Sequence, residues 1–129
     1  MDEAVRRICR MIKKAKAESS VCILSEKCKT YIAQNLNKDV TVAAIAAYIG
    51  VNPSYLSATF SNHEHMTIKQ YITHEKINAA KNMLKYSDYS ISEVVSYLNF
   101  CSQSYFTECF KKEVGLTPSR YRQKNRRDT

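Results

Sequence analysis

The sequence predicts an all-α fold: a seven-helix domain of two helix-turn-helix subdomains joined by a long linker helix, plus an N-terminal helical or frayed extension. Three observations predict it. Only two Gly and two Pro occur in 129 residues, too few turn residues for a β-rich fold but enough for short helix connections. A set of helix starts, apolar positions and helix stops recurs at an offset of 49 to 50 residues. Between the two copies runs a stretch with helical apolar spacing and no Gly or Pro at all.

Taken in order, residues 1–21 carry mixed charge with a partial helical stripe (Val5, Ile8, Met11, Ile12, Ala15) and read as a charged linker or N-terminal extension to a domain spanning 22–127. Residues 22–36 place Ile23, Leu24, Cys28, Tyr31, Ile32 and Leu36 at helical spacing, a first core helix. The first helix-turn-helix covers 41–62. Thr41 is a candidate N-cap, and Gly50 suits the left-handed position that ends a helix. Asn52-Pro53 then caps and starts a second helix, because proline at N1 loses no needed N–H. Leu56 and Phe60 form its apolar side. Two short helices joined by a tight turn containing Gly are the mark of this motif.

The linker helix, 67–86, opens on a Thr67-Ile68-Lys69-Gln70 capping box and offers Ile68, Tyr71, Ile72, Ile77, Ala80 and Leu84 as packed positions. At 1.5 Å per residue it spans about 30 Å. The second helix-turn-helix, 90–114, opens on a second capping box, Ser90-Ile91-Ser92-Glu93, and continues through Val94, Val95, Tyr97 and Leu98. Asn99 stands where Gly50 stood, and Asn tolerates the left-handed conformation. Ser102 caps the next helix, with Tyr105, Phe106 and Phe110 as its buried side and Gly115 as its stop. Thr117-Pro118 starts a basic C-terminal helix, 118–127.

The two units superimpose residue by residue. Thr41, Val42, Ile45, Tyr48, Ile49 and Gly50 match Ser90, Ile91, Val94, Tyr97, Leu98 and Asn99; Ser54, Tyr55, Leu56 and Phe60 match Ser104, Tyr105, Phe106 and Phe110, the second turn being one residue longer. A linker of about 30 Å compares with the 34–36 Å advance of one turn of B-DNA, so one chain could place two helices in successive major grooves. The alternative is a helical bundle used for protein contacts.

Charge agrees with a polyanionic partner, although a solvated basic surface would look similar. The net charge is +8, and it sits at the ends. Residues 1–30 carry eight Lys/Arg against four acids, residues 111–129 carry seven against two, and residues 31–110 carry five against six. There is no apolar run of membrane-spanning length and no signal-peptide core, so the expected location is cytoplasmic. Cys9, Cys22, Cys28, Cys101 and Cys109 show no paired spacing and read as reduced thiols. His63-Glu64-His65 and His74 lack a convincing third ligand, so no metal is expected. No cofactor is implied, and no nucleophile–base pair with a supporting motif suggests an enzyme.

The residues resemble the DNA-binding domain of the AraC/XylS family of bacterial transcription regulators over about residues 24–124. The most specific stretches are Ser-Ile-Ser-Glu-Val-Val (90–95), Asn-Phe (99–100), Ser-Tyr-Phe (104–106) and Phe-Lys-Lys-Glu-Val-Gly-Leu-Thr-Pro-Ser-Arg-Tyr-Arg (110–122). Val-Asn-Pro-Ser-Tyr-Leu-Ser (51–57), Phe60 and the linker positions Tyr71, Lys76, Ala80 and Leu84 support them. The chain departs from the family pattern at Asn99 and His65, where Gly is usual, at Lys76, where Arg is usual, and at Ala58 and Glu108, where Arg is frequent.

The resemblance implies sequence-specific binding of double-stranded DNA and transcription regulation, with RNA polymerase as a further partner and a sensor or receiver domain upstream. With Leu56 and Phe60 inward, Ser54, Ser57, Ala58 and Ser61 face out; on the second recognition helix the outward set is Gln103, Ser104, Thr107, Glu108 and Lys111. Gln103 can pair with adenine N6/N7, Glu108 can accept from cytosine N4, and Ala58 can touch a thymine methyl. Phosphate contacts are expected from Lys111, Lys112, Arg120 and Arg122, and from backbone N–H groups near Thr41 and Ser90.

Overall fold

The computed structural model describes residues 20–127, so the expectation for the N-terminal extension lies almost entirely outside the described residues. Seven helices and no strand occur among the described residues. They are α1 (20–34), α2 (Val42–Ile49), α3 (Pro53–Glu64), α4 (Ile68–Tyr86), α5 (Ile91–Tyr97), α6 (Gln103–Val114) and α7 (Pro118–Arg127). The chain divides into two compact units, the first holding residues up to Tyr31 with Val42–Ile68, the second Ile32–Thr41 with everything from Lys69 onward.

In the first unit α2 packs on α3, and Cys28, Ile45, Ala46, Leu56, Phe60 and Ile68 are buried. Burial pushes the Cys28 thiol up to about 11, so it stays protonated and inert at neutral pH. α1 is tied to the end of α3 by Lys29 Nζ, 2.8 Å from Glu64 Oε1, and to α2 by Tyr31 and Tyr48, whose rings lie 4.9 Å apart. Gly50 ends α2 at φ +87°, its amide donating to the Ala46 carbonyl at 2.8 Å.

His65 ends α3 in the same way. Its φ is 60° and its amide donates to Ser61 O, at 2.9 Å. The left-handed turn is therefore kept without glycine, at the cost of a side chain in a region that disfavours Cβ. His65→Gly should raise the unfolding free energy by about 0.5 kcal/mol, the relieved backbone penalty slightly exceeding the entropy added to the unfolded chain. Urea denaturation checks this; a loss of stability would mean that the imidazole makes contacts worth more than the strain.

The second unit is built around one cluster: Ile77, Ala80 and Leu84 from α4, Val94, Val95 and Leu98 from α5 and its end, and Phe106 and Phe110 from α6. Tyr121 of α7 and Phe100 of the turn pack against it. The aromatic rings form a chain, Phe100 to Phe106 at 4.9 Å, Phe106 to Phe110 at 5.7 Å and Phe110 to Tyr121 at 5.4 Å between centroids, tilted and edge-on as ring quadrupoles prefer. α4 runs for 19 residues without a helix breaker.

Candidate nucleic-acid interface

Each candidate reading helix is set by its cap and by two buried side chains. On α3, Asn52 Oδ1 accepts from the Ser54 and Tyr55 amides at 2.8 and 3.4 Å, and Pro53 occupies N1. On α6, Ser102 Oγ accepts from the Tyr105 amide at 3.1 Å. Leu56 with Phe60, and Phe106 with Phe110, are fully or almost fully buried. With those positions fixed inward, the 3.6-residue period turns the intervening residues outward. Ser54 and Ala58 are exposed and Ser57 and Ser61 half-buried; Gln103, Ser104, Glu108 and Lys111 are exposed and Thr107 half-buried. Every residue expected to read a base is at least partly accessible.

The turn before α6 is braced from below. Asn99 takes φ 56°, as expected for the counterpart of Gly50. Its carbonyl accepts from Lys76 Nζ at 3.4 Å, and the same ammonium lies 5.5 Å from the Phe100 ring centroid, within cation–π range. Lys76 is only 8% exposed. Burial pushes its ammonium below the usual lysine range, with Asp39 and Cys101 opposing. Sequence reasoning placed Lys76 on the linker but did not find this role, because the partner is a backbone carbonyl 23 residues away.

Two expectations need correction. Tyr105, assigned to the buried side of α6, is 40% exposed, because it precedes Phe106 and is rotated off the core face. Ser90 acts as a cap: its hydroxyl oxygen accepts from the Glu93 amide at 3.1 Å and its own amide donates to Glu93 Oε1 at 3.4 Å. Arg122, assigned to phosphate, instead points into the fold. Its Nε donates to Leu84 O at 3.2 Å and its Nη2 to the carbonyls of Ser87 and Tyr89. Arg126 adds a bond to Ser87 O and lies 3.2 Å from Asp88. Helix C-termini leave carbonyls without intrahelical donors, and here α7 supplies them to α4 and the loop after it. Lys111, Lys112 and Arg120 are exposed, as is Thr41.

His74 sits 3.4 Å from Glu113 and 3.3 Å from Asn78, while His63 lies beside Glu64. No group of three metal-ligating side chains occurs among the described residues, and none of the described helices is long and apolar enough to cross a membrane.

Residues 45–124, more than half of the chain, match the helix-turn-helix domain family. The chain belongs to that family, in its AraC/XylS type. The AraC-type domain is 34% identical over 92 residues to the melibiose operon regulatory protein of Escherichia coli K12, covering 71% of this chain and 30% of that one. This chain thus spans about a third of the length of such a relative. Among solved structures, a DNA-binding transcriptional dual regulator from Escherichia coli K-12 is 25% identical with a TM-score of 0.75, covering 81% of this chain and 93% of that one. The DNA-binding domain of AdpA, solved in complex with a target DNA, shares the fold at a TM-score of 0.76 and 21% identity, with 81% and 94% covered. Within the AraC-type pattern, the two places where this chain lacks a usual glycine, His65 and Asn99, both adopt the positive φ that the pattern needs.

Proposed function

We propose that this AraC-type domain binds double-stranded DNA sequence-specifically and regulates transcription, with α3 and α6 each entering a major groove. Support comes chiefly from α6. Phe106 and Phe110 hold its inner face, and Gln103, Ser104, Thr107, Glu108 and Lys111 stand on the side left uncovered. N-terminal residues of such a helix are the ones that reach base edges. Gln103 at N1 suits adenine, Glu108 suits a cytosine amino group, and Ala58 on α3 suits a thymine methyl, with Ser54, Ser57 and Ser61 as permissive donors. Lys111, Lys112, Arg120 and the amides beginning α2 after Thr41 serve phosphates. Arg122 is left out, since its guanidinium donates to carbonyls inside the fold. In the complete protein, RNA polymerase and an upstream sensor or receiver domain are the expected partners, in the cytoplasm at the nucleoid.

Selection of bound sequences from a random duplex pool tests the proposal. The expected outcome is an enriched site with two separate reads and an affinity that falls steeply with salt. On that site Gln103→Ala should cost about 1–3 kcal/mol and cost little on random DNA. Equal loss on both duplexes would remove Gln103 from base reading; a pool that shows no enrichment at moderate salt would remove sequence specificity altogether.

A further inference from the structure

Both recognition helices carry an exposed tyrosine at the same address. On α3 it is Tyr55, third residue after the Asn52 cap; on α6 it is Tyr105, third residue after the Ser102 cap. Tyr55 is 57% and Tyr105 40% exposed, whereas Phe60, Phe106 and Phe110 on the same two helices are at most 1% exposed. One exposed aromatic on a small domain is commonplace. Its repetition in both halves, beside Ser54 and Ser104, places it on the margin of the outward stripe rather than at a random point of the surface.

Lysine and arginine are scarce on the helices that carry these tyrosines. α3 contains no Lys and no Arg. α6 has Lys111 and Lys112 only in its last turn, about 9 Å or more along the axis from Tyr105 at 1.5 Å per residue. Near their starts, then, both helices offer a polyanion neutral donors of their own. A phenol suits this, with a stiff ring to lie against a sugar and a hydroxyl to donate to a phosphate oxygen. The Tyr105 phenol shares a hydrogen bond with the Cys109 thiol one turn on, which a phosphate would have to displace, and this bond, with some burial and the Glu108 carboxylate nearby, raises it above the usual tyrosine range. It therefore stays protonated, a donor, wherever the protein is folded at neutral pH.

We infer that Tyr55 and Tyr105 are backbone anchors, each donating its phenolic hydroxyl to a DNA phosphate at the edge of the groove that its helix reads. This rests on duplex DNA being the ligand, and the experiment separates the two claims. Tyr55→Phe and Tyr105→Phe keep the ring and remove the donor; the second also removes the bond to Cys109 on an exposed face, so circular dichroism should be unchanged and melting should move by no more than a few degrees. Binding is measured by fluorescence anisotropy on the selected duplex and on a random duplex, each over a series of salt concentrations. Each Phe variant should bind about tenfold more weakly, by the same factor on both duplexes. The slope of affinity against salt should not move, because a neutral donor releases no counterion; Lys111→Ala, as a control, should lower that slope. Tyr55→Ala and Tyr105→Ala should lose more, the sugar contact going with the donor. If the unaltered protein binds duplex DNA and both Phe variants stay within twofold of it, the anchors are refuted while DNA binding stands. A loss confined to the selected duplex would assign the tyrosines to bases and overturn the backbone role. No binding of any duplex by the unaltered protein would overturn both claims together.

Discussion

Phe110→Ala should destabilise the second unit by about 3–5 kcal/mol, the usual cost of emptying a buried aromatic site. Phe110 is fully buried and sits in the middle of the ring chain, 5.7 Å from Phe106 and 5.4 Å from Tyr121. Its removal leaves a cavity bordered by α6 and the basic α7. Against a total stability of about 5–15 kcal/mol for a domain, such a loss takes the second unit close to unfolding at growth temperature. Urea unfolding of the whole chain, followed by far-ultraviolet circular dichroism, should show an early transition that belongs to this unit. Phe110→Leu, which retains most of the volume, should recover more than half of the loss. A cost under about 1 kcal/mol for the alanine variant would contradict this packing.

Arg122→Ala should be nearly as damaging, and for a different reason. The guanidinium donates to three carbonyls at the end of α4 and in the loop beyond it. Removing it leaves these acceptors to water or to nothing, at about 2–3 kcal/mol, and the melting temperature should fall by about 10 °C. Arg122→Lys should rescue little, since one ammonium cannot present several donors in a fixed fork. The competing role, phosphate contact, has the opposite signature: an unchanged melting temperature, weaker DNA binding and a shallower salt dependence. Measuring melting and binding on the same variant decides between them.

Those two residues also show what a sequence discloses. Helix limits were legible because their signals are local. Asn52-Pro53, Ser102, the Ser90–Glu93 box, Gly50 and Gly115 all start or stop helices where they stand in the chain, and each needs only its neighbours to act. The inward positions Leu56, Phe60, Phe106 and Phe110 were legible for the same reason, through the helical period. Arg122 was not. Composition marks it as one of several basic residues on α7, and nothing nearby says that its acceptors lie 33 to 38 positions earlier. Lys76 was hidden likewise, under Phe100 and the Asn99 carbonyl. Tyr105 was misplaced because an aromatic adjacent to a core Phe satisfies an apolar pattern without joining the core. The outward stripes were legible as accessible surface, but which base each would meet is a property of the partner.

The absence of lysine and arginine from α3 has a consequence for how the proposed complex would respond to its surroundings. Helices that grip through cations loosen as potassium accumulates, because each contact gives back the counterions it displaced. A helix that grips through hydroxyls and a ring has little to give back. Under osmotic stress the hold of α6 and its lysines would weaken first, and the half of the operator read by α3 would carry a growing share of the discrimination.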